Sequence, residues 1–215
     1  KQVTMLVKSG GPDPVSNTQL AKVLEQAKAA GVPKSNMDAA IKRASSKEVG
    51  DYKESQIEVY GHGGVGFVLD VLTDNTNRAI GDVRTIINRK NLKMAESGSV
   101  AFNFDHIGCV TVETDADEDT MTEVALEAGA QDLEAIEIPE DSDQAPGFQV
   151  YTDKPDLMAV ADSVKEAGYS VTEARFIWKP KAPMEISEED ETTNLEAMDM
   201  FEELDDVDAV WTNMA

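Results

Sequence analysis

Ile57-Glu58-Val59-Tyr60-Gly61-His62-Gly63-Gly64-Val65-Gly66-Phe67-Val68-Leu69-Asp70-Val71-Leu72 is the stretch on which the reading of the fold depends. Before it, apolar residues recur every three or four positions; from Ile57 onward they alternate. Ile57 and Val59 mark one strand, Gly61 to Gly64 supply a turn, and Val65 to Leu72 reads as a largely buried second strand. Gly61 to Gly66 also spells G-x-G-x-x-G. A dinucleotide site needs a helix after those glycines, so that its N-terminus can meet pyrophosphate. Here a strand follows, and the glycines are read as permitting a tight hairpin with positive φ.

Downstream, Thr73 to Asn77 forms a polar loop, and a helix from Arg78 to about Lys90 buries Ile80, Val83, Ile86 and Ile87. Val100, Phe102 and Phe104 alternate as another strand. Upstream, Val3, Leu6 and Val7 mark a first helix, broken by Gly10-Gly11-Pro12-Asp13-Pro14. A second begins near the cap candidates Ser16 and Asn17, carries Leu20, Val23, Leu24 and Ala27 on one face, and stops at Gly31. A third opens at Pro33 and Ser35 and carries Met37, Ala40, Ile41 and Ala44 on one face. Ser45 to Glu54 is a polar connector.

From Gly108 the pattern restarts. A strand at Val110 and Val112, a helix from Asp117 to Ala128, strands at Leu133 to Ile138 and Phe148 to Tyr151, a helix from Pro155 to Ala167 and a strand from Val171 to Trp178 give β-α-β-β-α-β. That is the ferredoxin-like order. Glu185 to Glu191 reads as an acidic linker, followed by a helix bearing Ala197, Met200, Phe201 and Leu204 and a short strand from Val207 to Trp211. This closing pair has no partner of its own and is expected to complete the sheet begun by residues 55–106. The fold class is therefore α+β: a helical bundle at 1–53, an α+β domain at 54–106 plus 180–215, and an inserted ferredoxin-like domain at 107–179.

The 215 residues carry 19 Lys and Arg against 42 Asp and Glu, a net charge of −23. The charge is uneven: residues 1–106 hold 14 basic and 12 acidic groups, and residues 107–215 hold 5 and 30. With 41% hydrophobic residues the chain is no disordered acidic polymer. One cysteine, Cys109, excludes an intramolecular disulfide framework and a multi-cysteine zinc site. No apolar run approaches the roughly 20 residues of a membrane helix, and no membrane partner is expected.

The residues offer little for catalysis. Asp115 to Asp119 resembles the start of a calcium loop, but its sixth and twelfth positions hold Thr120 and Leu126 instead of Gly and Glu. His62 and His106 have no zinc-like spacing. Ser97-Gly98-Ser99 precedes a strand and is no nucleophile elbow. No catalytic residue, metal, cofactor or small-molecule substrate is expected. The basic positions are more informative. Lys28, Lys34, Lys42 and Arg43 cluster around the turn between two helices and along the second. The loop with Asn75 and Asn77 feeds a helix carrying Arg78, Arg84, Arg89 and Lys90. Arg and Asn supply directed donors, and helix N-termini supply backbone N–H groups for phosphate. These ten residues are the candidate nucleic-acid contacts, although Asp74, Asn75 and Asn77 suit helix capping equally well. No aromatics interleave with the cations, so a single-strand stacking platform is not expected.

Ala27-Lys28-Ala29, Val32-Pro33-Lys34-Ser35-Asn36, Ala40-Ile41-Lys42-Arg43, Tyr60 to Val65, Leu72 to Arg78, Ser97 to Phe102, Ala128-Gly129-Ala130 and Asp205 to Val210 together resemble the YebC family, also called YebC/PmpR. Its organelle branch includes the translational activator of mitochondrial cytochrome c oxidase. The resemblance implies three domains, the third inserted in the second, and no enzymatic activity. It also implies DNA-binding transcriptional regulation in bacteria, translational activation in organelles, and ribosome association for some members. The family's basic N-terminal stretch does not precede Lys1. Residues 42–45 and 93–99 are similar to plant and algal members, which implies chloroplast or mitochondrion if the source is eukaryotic and cytoplasm if it is bacterial. The expected partner is ribosome or RNA, with a basic ribosomal protein on the acidic half. The alternatives are duplex DNA and, for a different class of function, a protein-interaction scaffold.

Overall fold

The computed structural model describes Val3, Leu6, Val7 and residues 10–29, 31–45, 52–136 and 145–215, with the backbone alone at Gln26, Ala29 and Arg43. Parts of the first helix, of the 45–54 connector, of the strand read at 133–138 and of the acidic loop after it lie outside these residues. The chain divides into two units, Lys1–Asp105 with Trp178–Ala215, and His106–Ile177.

In the first unit, Val3, Leu6 and Val7 are helical, and helices α1 (Thr18–Ala29) and α2 (Lys34–Ala44) follow. Val7, Leu20 and Ala44 form the bundle's buried centre, flanked by Val3, Leu6, Leu24 and Ile41. Asn17, one of the two cap candidates, accepts from the Leu20 N–H at 3.1 Å. Its amide donates to the carbonyls of Leu6 and Gly11, fixing the chain's entry into α1.

Strands β1 (Lys53–Tyr60) and β2 (Gly66–Thr73) form the expected antiparallel hairpin, with Tyr60 opposite Gly66 and Lys53 opposite Thr73. Gly63 and Gly64 take φ of +69° and +88°, the left-handed region that favours glycine. Helix α3 (Thr76–Arg89) follows, and the two-residue strand β3 (Lys93–Met94) pairs with the end of β1. Ile57, Val59, Phe67, Leu69 and Val71 point from one sheet face onto Ala79, Val83, Ile86 and Ile87 of α3 and onto Ala197 and Phe201 further on. Phe67 and Phe201 meet edge to face at 6.1 Å.

The alternation at Val100, Phe102 and Phe104 does not form a strand. Ala101–Asn103 is a 3-10 turn, and strand β4 (Phe104–Glu113) begins only after it. Val100 and Phe104 are buried, while Phe102 is 65% exposed. The cause is a residue remote in sequence: three backbone N–H groups of residues 98–101 turn inward to the Glu58 carboxylate.

In the second unit, β4 continues into helix α4 (Glu118–Glu127), then strands β5 (Asp132–Ala135) and β6 (Gly147–Thr152), helix α5 (Leu157–Glu166) and strand β7 (Ser170–Pro180). The sheet order β5-β6-β4-β7 is ferredoxin-like. Val110, Val112, Phe148 and Val150 face Met121, Ala125, Val160 and Val164 of the two helices.

Back in the first unit, the run read as an acidic linker is in part helix. Helix α6 (Glu188–Glu202) starts with Glu188, Glu189, Asp190 and Glu191 in its first turn. Ser187 caps it, accepting from Asp190 N–H at 3.2 Å. Acids are favoured there because a helix N-terminus carries partial positive charge. Strand β8 (Val207–Thr212) then pairs antiparallel with β2, completing the sheet order β3-β1-β2-β8. Both tryptophans serve the second sheet face: Trp178 and Trp211 donate their indole N–H groups to the two oxygens of Asp70, at 3.3 and 2.7 Å.

Candidate nucleic-acid interface

Lys28 lies in the last turn of α1, and Lys34 opens α2. Between them Gly31 N–H bonds to the Lys28 carbonyl and Val32 N–H to that of Ala27, so the turn is a closed C-cap. Lys28, Lys34 and Lys42 are exposed. Arg43 continues the helical backbone of α2; its side chain lies outside the described residues.

The Thr73–Arg78 loop is ordered by its own polar groups. Asn75 caps α3, its carboxamide oxygen accepting from Arg78 N–H at 3.1 Å, and its own N–H donates to the Thr73 hydroxyl at 2.9 Å. The Arg78 guanidinium turns back on the protein. Its Nε and Nη2 donate to Asp206 Oδ2 and Oδ1, both at 2.8 Å, and Nη2 also reaches Asp74 at 2.9 Å. Hydrogen bonding to Asp206 first, then to Asp74, raises its already high pKa further. Lys90, just after α3, is paired with Glu196 of α6 and lowers that carboxyl's pKa by hydrogen bond and charge. Arg78 and Lys90 are thus both matched by acids of the same unit.

Asn77, Arg84 and Arg89 occupy the outward side of α3 and are exposed. The helix buries Ala79, Val83, Ile86 and Ile87, so the amphipathic period itself turns Arg84 and Arg89 to solvent. Among the described residues, Lys28, Lys34, Lys42, Arg84 and Arg89 enter no ion pair within 4 Å. The ten candidates therefore fall into exposed cations without such an acid partner (Lys28, Lys34, Lys42, Arg84, Arg89), internally paired cations (Arg78, Lys90), a helix cap (Asn75), the exposed Asn77 and the undescribed Arg43 side chain.

The glycine motif is occupied by packing. A side chain at Gly61 would meet Asn194 Oδ1 and the Phe67 ring at 2.7 Å, and one at Gly63 would meet Ile186 at 2.6 Å. Asn194, wholly buried, accepts from His62 N–H at 2.9 Å and donates to the His62 carbonyl at 3.1 Å. The His62 ring bonds to the Lys90 carbonyl at 2.8 Å, with Nδ1 3.9 Å from Asp190. Close packing of the Asn194, Phe67 and Ile186 side chains against the turn is what these glycines permit.

Like Asn194, three further polar residues escaped the sequence reading. Glu58 is 6% exposed and accepts from the N–H groups of Gly98, Val100 and Ala101 at 2.5 to 2.8 Å. Asn213, also buried, accepts from Gly66 N–H at 2.7 Å. Asp206 holds Arg78. In each case the partner is remote in sequence, and Glu58 between Ile57 and Val59 has the place of an ordinary solvent-facing residue in an alternating strand, so nothing local marks it as buried. No group of three or more His, Cys, Asp or Glu among the described residues is placed to hold a metal ion. No helix among them is long and apolar enough to cross a membrane.

Comparison with known proteins adds to this geometry. Residues 52–214 match the family model described as TACO1/YebC second and third domain, and residues 1–47 match that of the TACO1/YebC N-terminal domain. A probable transcriptional regulatory protein of Protochlamydia amoebophila is 40% identical over 215 residues, covering 100% of this chain and 84% of that protein. Another, of Lacticaseibacillus casei, is 38% identical, covering 99% and 85%. The crystal structure of a conserved hypothetical protein from Aquifex aeolicus superposes with a TM-score of 0.86 at 29% identity, over 100% of this chain and 86% of that one.

Proposed function

The chain belongs to the TACO1/YebC family, and from that premise we propose that it is a non-enzymatic, nucleic-acid-associated regulator of gene expression that acts in translation by binding RNA or the ribosome. The observation that carries this is the set of exposed cations, Lys28, Lys34 and Lys42 on the bundle and Arg84 and Arg89 on α3, without an acid partner in a chain of net charge −23. In so acidic a protein, cations left to solvent are suited to phosphate, and the acids elsewhere limit how RNA can approach. The acidic second half suits solvent or a basic ribosomal protein. The likeness of residues 42–45 and 93–99 to plant and algal members supports an organelle as the place of action.

The test is co-sedimentation with ribosomes at fixed salt. The charge-reversed pair Lys34→Glu and Lys42→Glu should leave the pellet while the parent chain stays in it; equal pelleting of both contradicts the reading. A second reading, duplex-DNA regulation, is supported by the names of the relatives, which are probable transcriptional regulatory proteins. It predicts that one duplex competes far better than random duplex at the same salt.

A further inference from the structure

The turn at residues 98–103 combines two locally unfavourable features. Glu58 is buried, and desolvating a carboxylate is costly even when hydrogen bonds compensate it. Phe102, between the buried Val100 and Phe104, is 65% exposed, which forgoes the burial its neighbours obtain. The two are connected, because Glu58 is what holds the turn in place. It takes the N–H groups of Gly98, Val100 and Ala101, and the Tyr60 hydroxyl donates to the Ser99 carbonyl at 3.0 Å. From the other side Lys181 secures it: its backbone N–H donates to the Asn103 carbonyl and its ammonium to the Phe102 carbonyl, both at 2.9 Å. An aromatic ring on so constrained a backbone loses little conformational freedom when something packs on it. Local cost at a rigid, exposed point is what a recognition residue shows.

The chemistry beside the ring narrows the occupant. The Lys181 ammonium is bonded to the carbonyl of the very residue that bears the ring and is ion-paired at 3.5 Å with Asp105, an exposed pair that solvent screens and a phosphate can join. An exposed aromatic ring on the residue whose own carbonyl holds an ammonium, with one N–H of that ammonium left over, matches a base and its phosphate. Sequence-tolerant recognition of single strands uses that combination. We propose that Phe102 is a stacking platform for one unpaired nucleobase of RNA, with Lys181 on the adjoining phosphate. The proposal rests on the RNA reading above and adds a contact outside the ten basic and amide candidates.

The test uses the full chain and a short fluorescein-labelled oligoadenylate, read by anisotropy across a salt series. Phe102→Ala should weaken binding by roughly 5- to 150-fold, the range for losing one stacked base. It should leave both the thermal midpoint and the salt slope unchanged, and Phe102→Trp should restore the affinity. Lys181→Gln should flatten the slope of log affinity against log salt by about 0.7, one phosphate's share. If the parent chain binds oligoadenylate and Phe102→Ala binds it equally well, the stacking role is overturned while the RNA reading stands. If Phe102→Ala keeps its RNA affinity but loses a nuclease-resistant protein partner, the turn belongs to protein recognition and the proposal is overturned. If the parent chain pellets with ribosomes but does not bind the oligonucleotide, the stacking role alone is overturned; if it does neither, the RNA reading falls as well.

Discussion

Arg78 and Asp206, 128 residues apart in sequence, form a two-point ion pair with both contacts at 2.8 Å. The Asp206 carbonyl also accepts from Leu72 N–H at 2.9 Å. One residue therefore fastens the segment between α6 and β8 both to the end of β2 and to the start of α3. We predict that Arg78→Lys, which keeps the charge but lacks the planar fork, lowers the thermal midpoint by several degrees. Well below that midpoint its affinity for RNA should equal that of the parent chain. Calorimetry beside a binding isotherm separates the two effects, and weakened RNA binding in a fully folded Arg78→Lys variant would reassign the side chain to the interface.

Glu58 is expected to be a strong determinant of stability. Glu58→Ala removes the acceptor for the N–H groups of Gly98, Val100 and Ala101, whose hydrogen bonds are all buried or part-buried. Each buried N–H left without a partner costs about 1–3 kcal/mol, so a loss of about 2–5 kcal/mol is expected after partial rehydration. Urea denaturation measures it.

Gly61 separates packing from nucleotide chemistry. Gly61→Ala should destabilise the chain by about 1–3 kcal/mol, the usual cost of overpacking, because the added methyl meets Asn194 and Phe67 at 2.7 Å. Neither ATP nor NAD should raise the thermal midpoint of the parent chain. A nucleotide-dependent rise that Gly61→Ala abolishes would restore the phosphate-binding interpretation of the motif.

The acid limb of stability follows from two carboxyls held below their ordinary pKa. Asp117 is lowered by hydrogen bonds from the Thr120 backbone and then its side chain, and Glu196 by its hydrogen bond and charge pairing with Lys90. A carboxyl whose folded pKa lies below its unfolded one contributes stability in full above the unfolded value, 3.8 for Asp117 and 4.5 for Glu196. That contribution is lost as pH falls through the depressed folded value. Thermal midpoints from pH 7 downward should therefore show Asp117→Asn and Glu196→Gln less stable than the parent near neutrality and converging with it only as pH falls through the depressed folded values, below 3.8 for Asp117 and below 4.5 for Glu196. Asn still caps a helix well, so the Asp117 difference reports charge and not the cap.

The hairpin at 57–72, the amphipathic α3 and the β-α-β-β-α-β order were legible because each rests on a period set by backbone geometry. The cap at Asn75 was legible because caps are local. Phe102 was misplaced because alternation at 100, 102 and 104 mimics a strand, and nothing nearby in sequence announces that Glu58 draws the backbone of 98–101 inward. Glu188 to Glu191 looked like solvated linker because acids serve a linker and a helix N-terminus alike. Arg78 looked available for phosphate because its partner, Asp206, lies 128 residues away. Lys28, Lys34, Lys42, Arg84 and Arg89 were legible as exposed cations, since the helical period that buries one face turns the other to water.

The central claim, that exposed cations of the bundle and α3 bind RNA phosphates, is tested most directly by the salt dependence of affinity for a single-stranded RNA. The parent chain should show log affinity falling linearly with log salt, and Lys34→Glu with Lys42→Glu should flatten that slope by about 1.4, two phosphates at about 0.7 each. A slope identical in parent and variant contradicts the account.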